Sequence, residues 1–286
     1  MAHDEARLAE FLQGASRLPV LPQVTIRLLN AVNSPDSTAK DVGKIIEAEP
    51  SLAARALKMA NSPFYGRGGR VSTIQSAVVV LGLKTVRSLA LTVWTHTLRS
   101  RLGTAEDMVL LSPLLTHGLA TGVVAGMLAE RHQRQLAEDA YMAGLLHDIG
   151  RVALVAQLGM NYRIDVVEPA LCAHRPLHEQ ENAILGFDHR ALGAALLASW
   201  ALPRFIVDVV EHHHDGTIAP TSHFLVATVA LADGYASRLG YNLIPDTPRP
   251  AHDNIAAFFG LATSDDVAGF LESCMERFKV LSSVLD

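Results

Sequence analysis

The chain has 286 residues, of which 49% are hydrophobic and 19% are charged. This composition is ample for a well-filled core and excludes a disordered protein. The formal net charge of -5 argues against a general nucleic-acid-binding protein, because no surplus of positive charge is available to neutralise phosphates. Cys172 and Cys274 form neither a metal-binding motif nor a disulfide framework, which fits a reducing cytoplasm. We expect no apolar run of the roughly 18 residues that a membrane span needs.

Helical periodicity dominates the chain, and no segment shows a convincing alternating strand pattern. In the first hundred residues, Pro19 and Pro22 predict an extended entry into a helix that begins at about Gln23. Pro50 fits the first turn of another helix, and Gly82 ends a third. The polar stretch 99–106 predicts a boundary between two helical lobes, residues 1–103 and residues 104–286.

The second lobe begins with Thr104 to Asp107, which fits the helix-start pattern [ST]-x-x-[DE]. The residues from Gly240 to Asp253 include three prolines and are predicted to form a loop. The fold class that follows is all-α, with two lobes packed together. The helices predicted in the second lobe are Met108–Arg131, Glu138–Leu146, Arg151–Leu158, His189–Trp200, Arg204–His213, Ser222–Arg238 and Ser264–Val280.

Several of these segments place a histidine or an aspartate among the apolar residues of one face. A single inward histidine is more often a hydrogen-bonded core residue than a ligand, but inward acids are rarer. Six such positions on five segments favour a metal site, and imidazole with carboxylate suits Fe, Mn, Zn or Co. The number of ions, one or two, stays open. The candidate ligands are His117, His147, Asp148, His189, His212, His213 and Asp233.

The run from His212 to His214 cannot supply three ligands to one site, because successive residues of a helix point about 100° apart. We therefore expect His212 and His213 to be ligands and His214 to lie at the rim. If two ions are bound, about 3.5–4 Å apart, they would activate a bridging water for attack on phosphorus.

These residues resemble the motif of the HD superfamily of phosphohydrolases, which consists of a His, a later His-Asp pair and a final Asp. Here those positions are His117, His147 with Asp148, and Asp233. Residues 15–240 more closely resemble an HDOD domain, the HD-related output domain of bacterial signalling proteins. The segments that carry this resemblance are Leu18–Pro22, Ser34–Ser37, Asn61–Gly66, Ile74–Ala77, Leu81–Gly82, Gly144–Gly150, Gly186–His189, Trp200–Pro203 and Glu211–His213.

The resemblance implies a regulatory domain, since such domains often lie beside receiver or cyclic-di-GMP modules and have mostly lost the HD catalytic residues. This chain departs from that pattern because its ligand set is nearly complete, as in the related HD-GYP phosphodiesterases. It also departs from those enzymes: Arg151 stands where they carry a Lys that is expected to meet substrate phosphate, and Arg has a different donor geometry. No Gly-Tyr-Pro follows the histidine run. These departures argue against cleavage of cyclic-di-GMP.

The leading hypothesis is a cytoplasmic bacterial signalling domain with a metal-binding HD core that acts by contacting a partner, a receiver or a cyclic-di-GMP pathway component. Leu21, Phe64, Tyr65 and the Gly66–Gly69 loop are candidate interface residues, although they equally fit a helix cap with Phe64 packed into the core. The alternative is a metal-dependent phosphohydrolase acting on a nucleotide or cyclic dinucleotide, with Asp148 and Arg151 as catalytic residues. An all-α nucleic-acid-binding regulator is the weakest hypothesis, and its mark would be salt-dependent affinity for DNA.

Overall fold

The computed structural model describes residues 2–34, 36–66, 70–102, 104–215, 218–242 and 252–285. Within these ranges the chain forms helices and turns and no strand, which confirms the predicted all-α class. A 3₁₀ turn lies at Arg134–Leu136 and a π-helical segment at Arg163–Val167. The α-helices are α1 (Ala2–Gly14), α2 (Gln23–Asn33), α3 (Ala39–Glu47), α4 (Pro50–Ala60), α5 (Ile74–Leu81), α6 (Leu83–Arg101), α7 (Met108–His132), α8 (Ala137–Leu146), α9 (Ile149–Leu158), α10 (Met160–Tyr162), α11 (Glu168–Cys172), α12 (Leu177–Leu185), α13 (His189–Ser199), α14 (Arg204–His212), α15 (Phe224–Arg238), α16 (Asp253–Phe258) and α17 (Ser264–Leu285).

The contacts divide the chain into two compact units, Met1–Pro19 with Leu98–Leu271 and Val20–Thr97 with Glu272–Asp286. The division into lobes 1–103 and 104–286 stays a prediction of domain organisation, but the contacts assign both chain ends differently. In the larger unit, Phe11 of α1 packs edge-on against Phe187, with ring centroids 5.3 Å apart. In the smaller unit, the end of α17 is held by α4, where Arg55 donates to the carbonyl of Leu285 at 2.5 Å.

Local signals in the sequence explain the helix starts of the smaller unit. Thr38 and Asp41 form a reciprocal capping box at the start of α3, which satisfies two of the free N–H groups there. Pro50 occupies the first turn of α4, and Thr73 caps α5 by accepting from the N–H of Ser76. Gly82, with φ of 80°, then separates α5 from α6, since a left-handed φ favours glycine.

The candidate interface residues of the smaller unit do not all lie at the surface. Leu21 is 2% exposed and is a core residue, so its assignment to an interface is wrong. Phe64 is 50% exposed, and the guanidinium of Arg277 lies 4.3 Å from its ring centroid. Tyr65 is half-buried. Of the predicted loop Gly66–Gly69, residues 67–69 lie outside the described residues.

The larger unit is built around α7, which packs against α8 and α15. Glycines allow α7 and α8 to approach closely: a Cβ at Gly122 would lie 2.9 Å from the carbonyl oxygen of Tyr141, and a Cβ at Gly144 would lie 2.9 Å from that of Thr121. At a second close approach, α9 meets the start of α13. A Cβ at Gly150 would clash with the carbonyl oxygen of His189. These glycines bring the backbones that carry the polar residues within side-chain reach.

Among the described residues, α7 is long and apolar enough to cross a membrane by length and composition. The expectation that no apolar run reaches that length is therefore wrong. However, 72% of the most apolar 18-residue stretch of α7 is buried inside the protein, as is common for a helix in a protein core. The helices α5 and α6 reach the same length and hydropathy only when they are taken together, and the pair is bent by 107°. The cytoplasmic location stays a prediction.

Candidate metal centre

Five helical segments of the larger unit bring most of the predicted ligands together. His117 lies in the middle of α7, and Asp233 lies on α15. His147 and Asp148 occupy the junction where α8 ends and α9 begins. His189 is the first residue of α13, and His213 directly follows α14. These six residues are at most 6% exposed, so each needs partners inside the protein.

The four buried histidines share one orientation. The Nδ1 atom of each lies at hydrogen-bonding distance from an oxygen that can only accept, so Nδ1 carries the proton and donates. The acceptors are the carbonyls of Tyr241 for His117 at 2.5 Å, Gly144 for His147 at 2.8 Å and Val210 for His213 at 2.9 Å, and the Glu181 carboxylate for His189 at 2.6 Å. A histidine that ligates a metal almost always donates its other N–H in this way.

In the neutral imidazoles Nε2 then carries a lone pair, and the Nε2 atoms converge on carboxylate oxygens. Nε2 of His117 lies 3.0 Å from Asp233 Oδ1, and Nε2 of His189 lies 3.3 Å from Asp148 Oδ1. The Nε2 atoms of His189 and His213 are 3.4 Å apart. Two lone pairs that face each other at such distances repel unless a proton or a metal cation lies between them.

Two buried atoms of this cluster have no hydrogen-bond partner among the described residues: His147 Nε2 and Asp148 Oδ1. A buried acceptor without a donor costs about 1–3 kcal/mol, so both atoms call for a further ligand. The donor atoms fall into two groups, each within 4.8 Å, that share Asp148: His117 with His147, and His189 with His213 and His214. The buried cluster is thus able to hold a metal ion, and its imidazole and carboxylate donors fit transition metals.

The structure corrects the assignment within the histidine run. The side chain of His212 is 49% exposed and its Nδ1 lies 2.9 Å from Asp215 Oδ2, so it does not reach the cluster. His214, expected at the rim, belongs to one donor group and is half-buried beneath the stacked ring of His178. His213 keeps a helical backbone and its N–H bonds to the carbonyl of Val209, so the 100° spacing holds between His212 and His213 and points their side chains in different directions. His214 lies in the turn that follows, where helical spacing no longer fixes the direction of a side chain.

Arg151 lies inside the cluster rather than at an opening. It is 7% exposed, and its Nη1 donates to Asp148 Oδ2 at 2.7 Å. Its Nε donates to Glu181 Oε1 at 3.3 Å, and its Nη2 lies 3.5 Å from Nε2 of His214. The guanidinium is therefore held by two carboxylates of the protein itself.

Glu181 of α12 was missed at the level of sequence. It is fully buried and accepts from the Tyr162 hydroxyl at 2.6 Å as well as from Arg151 and His189. Burial alone would raise the pKa of Glu181, but His189 and Arg151 lower it to about 2. The residue stays ionised and fixes the ring of His189.

Burial and charge set the protonation of the central pair. Burial is the main cause that lowers the pKa of His147 to about 3, against a smaller opposite effect of Asp148. Burial alone would raise the pKa of Asp148, but Arg151 and His147 hold it well below its usual range. At neutral pH the pair is a neutral imidazole beside a carboxylate. These are the protonation states that metal binding requires.

The sequence profile of the HDOD domain matches residues 18–216. The chain belongs to the HDOD domain family. This confirms the resemblance seen in the sequence. An uncharacterised Treponema pallidum protein is 27% identical over 218 residues, which are 76% of this chain and 41% of that protein. This chain thus spans less than half the length of that relative.

Two solved structures match this chain almost end to end. An HDOD domain protein of unknown function from Geobacter sulfurreducens is 26% identical, with a TM-score of 0.78 over 99% of this chain and 97% of that chain. A Shewanella amazonensis protein provisionally named a phosphohydrolase is also 26% identical, with a TM-score of 0.71 over 98% of both chains. The all-α fold is therefore that of solved relatives.

Proposed function

We propose that this HDOD protein is a bacterial signalling output domain whose HD-type cluster binds a divalent transition metal as a closed structural centre, and that the domain acts by contacting a partner protein. The observation that carries the metal part is the common orientation of four buried imidazoles, with each Nδ1 bound and each Nε2 directed into the cluster. The proposed ligands are drawn from His117, His147, Asp148, His189, His213, His214 and Asp233. A bound ion would supply positive charge between facing acceptors.

The burial of the cluster favours a structural centre over a hydrolase. A catalytic metal needs an open coordination position that the substrate can reach, whereas the six central residues are at most 6% exposed. A hydrolase of this type also needs a free cation for the phosphate. Arg151, the candidate for that role, is already engaged by Asp148 and Glu181.

Exposed apolar side chains on the smaller unit support an output through protein contacts. Val20 is 73% exposed and Val79 is 71% exposed, and apolar surface of this kind is stabilised when a partner covers it. The expected partner is a receiver domain or a component of a cyclic-di-GMP pathway.

The second candidate function is a metal-dependent phosphohydrolase acting on a nucleotide or cyclic dinucleotide. Its specific support is the nearly complete donor set, together with the provisional phosphohydrolase name of the Shewanella relative. In this function His214 and His178 at the edge of the cluster would mark the side from which substrate approaches.

Elemental analysis and a hydrolysis assay on the same untagged preparation test the two functions. We expect bound transition metal, its loss in Asp148→Ala, and no turnover of cyclic-di-GMP or of bis(p-nitrophenyl) phosphate. Turnover that disappears in Asp148→Ala would establish the phosphohydrolase instead. Protein without metal, even after incubation with Mn²⁺, Fe²⁺, Co²⁺ or Zn²⁺, would refute the metal centre and leave a hydrogen-bonded core.

A further inference from the structure

We infer that Arg151 serves as a fixed internal cation in place of a second metal ion, so that the cluster binds one divalent ion per chain. This inference rests on the proposed metal-binding function and settles the ion count that the sequence leaves open. Its basis is the position of the guanidinium and the charge balance of the buried residues.

The guanidinium of Arg151 lies against donor atoms that a second ion would need. Asp148 is the residue shared by the two donor groups, and its Oδ2 accepts from Nη1 of Arg151 at 2.7 Å. In the group that contains His214, Nη2 of Arg151 lies 3.5 Å from Nε2 of that histidine. A cation competing for these two atoms would have to displace a buried arginine from two carboxylates.

The charge balance gives an independent reason. In the metal-bound state the histidines are neutral and the ligand carboxylates are ionised. Among the described residues, Asp148, Asp233 and Glu181 are buried carboxylates of the cluster and Arg151 is the buried cation beside them, so these four side chains carry two net negative charges. One divalent ion neutralises them, whereas two would leave two positive charges in a low-dielectric interior, where uncompensated charge is strongly unfavourable.

The charged groups described beside the start of α13 do not change this balance. Asp188 caps α13 by accepting from two backbone N–H groups and pairs with Arg190 at 2.7 Å. Arg190 also lies 3.3 Å from Asp215, whose side chain is 47% exposed. These groups compensate one another or are screened by solvent.

Titration with Co²⁺ after removal of metal by EDTA tests the inference, with stoichiometry read from the Co²⁺ absorption spectrum and from elemental analysis. The wild type and Arg151→Lys, which keeps the charge, are expected to bind one equivalent. Arg151→Gln, which removes the internal cation, is expected to bind two. The double variant Arg151→Gln with Glu181→Gln restores the wild-type charge and is expected to return to one.

Each outcome is decisive. Two equivalents in the wild type, or one equivalent in Arg151→Gln, would overturn the role of Arg151 while leaving the metal centre intact. A wild type that binds no Co²⁺ would instead refute the proposed metal centre itself. If Arg151→Gln does not fold, Glu181→Gln alone provides the test: with one negative charge fewer it should bind Co²⁺ at least about tenfold more weakly, and unchanged affinity would overturn the inference.

Discussion

Glu181 accepts two hydrogen bonds from a single residue, His189: one from its backbone N–H at 2.9 Å and one from Nδ1 at 2.6 Å. The same carboxylate fixes both the start of α13 and the tautomer of the first side chain on that helix. Tyr162 and Arg151 donate to the other oxygen of Glu181. The orientation of His189 therefore depends on a hydrogen-bond network that reaches Tyr162 and Arg151 through Glu181.

Removal of the Tyr162 hydroxyl should weaken this network. Tyr162→Phe deletes the 2.6 Å bond to Glu181, and hydrogen bonds to charged groups contribute about 1.5–3 kcal/mol. We expect the free energy of unfolding in urea to fall by about that amount. Tyr235→Phe, at another buried tyrosine away from Glu181, is the matched control, and equal effects of the two substitutions would contradict the role given to Tyr162.

Gly150 should not tolerate a side chain. In Gly150→Ala the new methyl group would clash with the carbonyl of His189, so α9 and α13 must separate. This should lower the free energy of unfolding by at least about 1–3 kcal/mol. Gly269→Ala on α17 has open space within 4 Å and should be neutral or stabilising by about 0.5–1 kcal/mol. Thermal melts of both variants measure the difference. A Gly150→Ala protein as stable as Gly269→Ala would show that the close approach is unimportant.

The corrected ligand assignment can be tested within the histidine run. His213→Ala removes a buried donor and His212→Ala removes an exposed side chain that contacts Asp215. We expect the first to lower metal affinity by about 10–100-fold or more and the second to leave it unchanged. Competition with a chromogenic chelator measures both affinities. A large loss in His212→Ala would restore the original assignment.

The metal-free protein should lose stability as the pH falls from about 6.5 toward 3. The pKa of His147 is lowered from 6.5 to about 3 by burial. Between these pH values His147 is therefore protonated in the unfolded chain but stays neutral in the folded protein. The contribution of His147 to the free energy of unfolding is therefore greatest above pH 6.5 and falls progressively as the pH approaches 3.

His147→Asn provides the comparison, because asparagine does not titrate and its amide can still donate to the carbonyl of Gly144. Its free energy of unfolding should fall less steeply over this pH range than that of the wild type. His174→Asn, at an exposed residue with φ of 50° that asparagine tolerates, should keep the wild-type slope. Parallel slopes for the wild type and His147→Asn would exclude His147 as the cause.

Periodicity was sufficient to predict the helices that carry the cluster. The sequence predicted α7 as Met108–Arg131 and α8 as Glu138–Leu146, within one residue of the observed ends. Six of the seven predicted ligands meet in the fold, because buried helices reveal an inward polar residue through its apolar neighbours at three- and four-residue steps. Whether they bind a metal stays a prediction.

The errors have physical reasons. Glu181 lies in the segment Leu177–Leu185, which is outside the predicted helices. On the observed helix it is spaced four residues from both Leu177 and Leu185, and this spacing is the signal that it faces inward. Helical spacing already indicates that the neighbours His212 and His213 point in different directions, whereas the direction of His214, in the turn after the helix, does not follow from that spacing. Leu21 follows exposed Val20 in an extended segment, where neighbouring side chains point in opposite directions. The sequence does not show which of the two faces the core.

The bonds from His147 to Gly144 and from His213 to Val210 have the same local form. In both, an imidazole just beyond a helix donates to a carbonyl three residues earlier, one of the last acceptors of α8 or α14 that lack an intrahelical partner. Each histidine thus terminates the helix that precedes it. A relative that had given up metal binding would still gain from keeping these two histidines, so their presence alone in an HDOD sequence is poor evidence that the protein holds an ion.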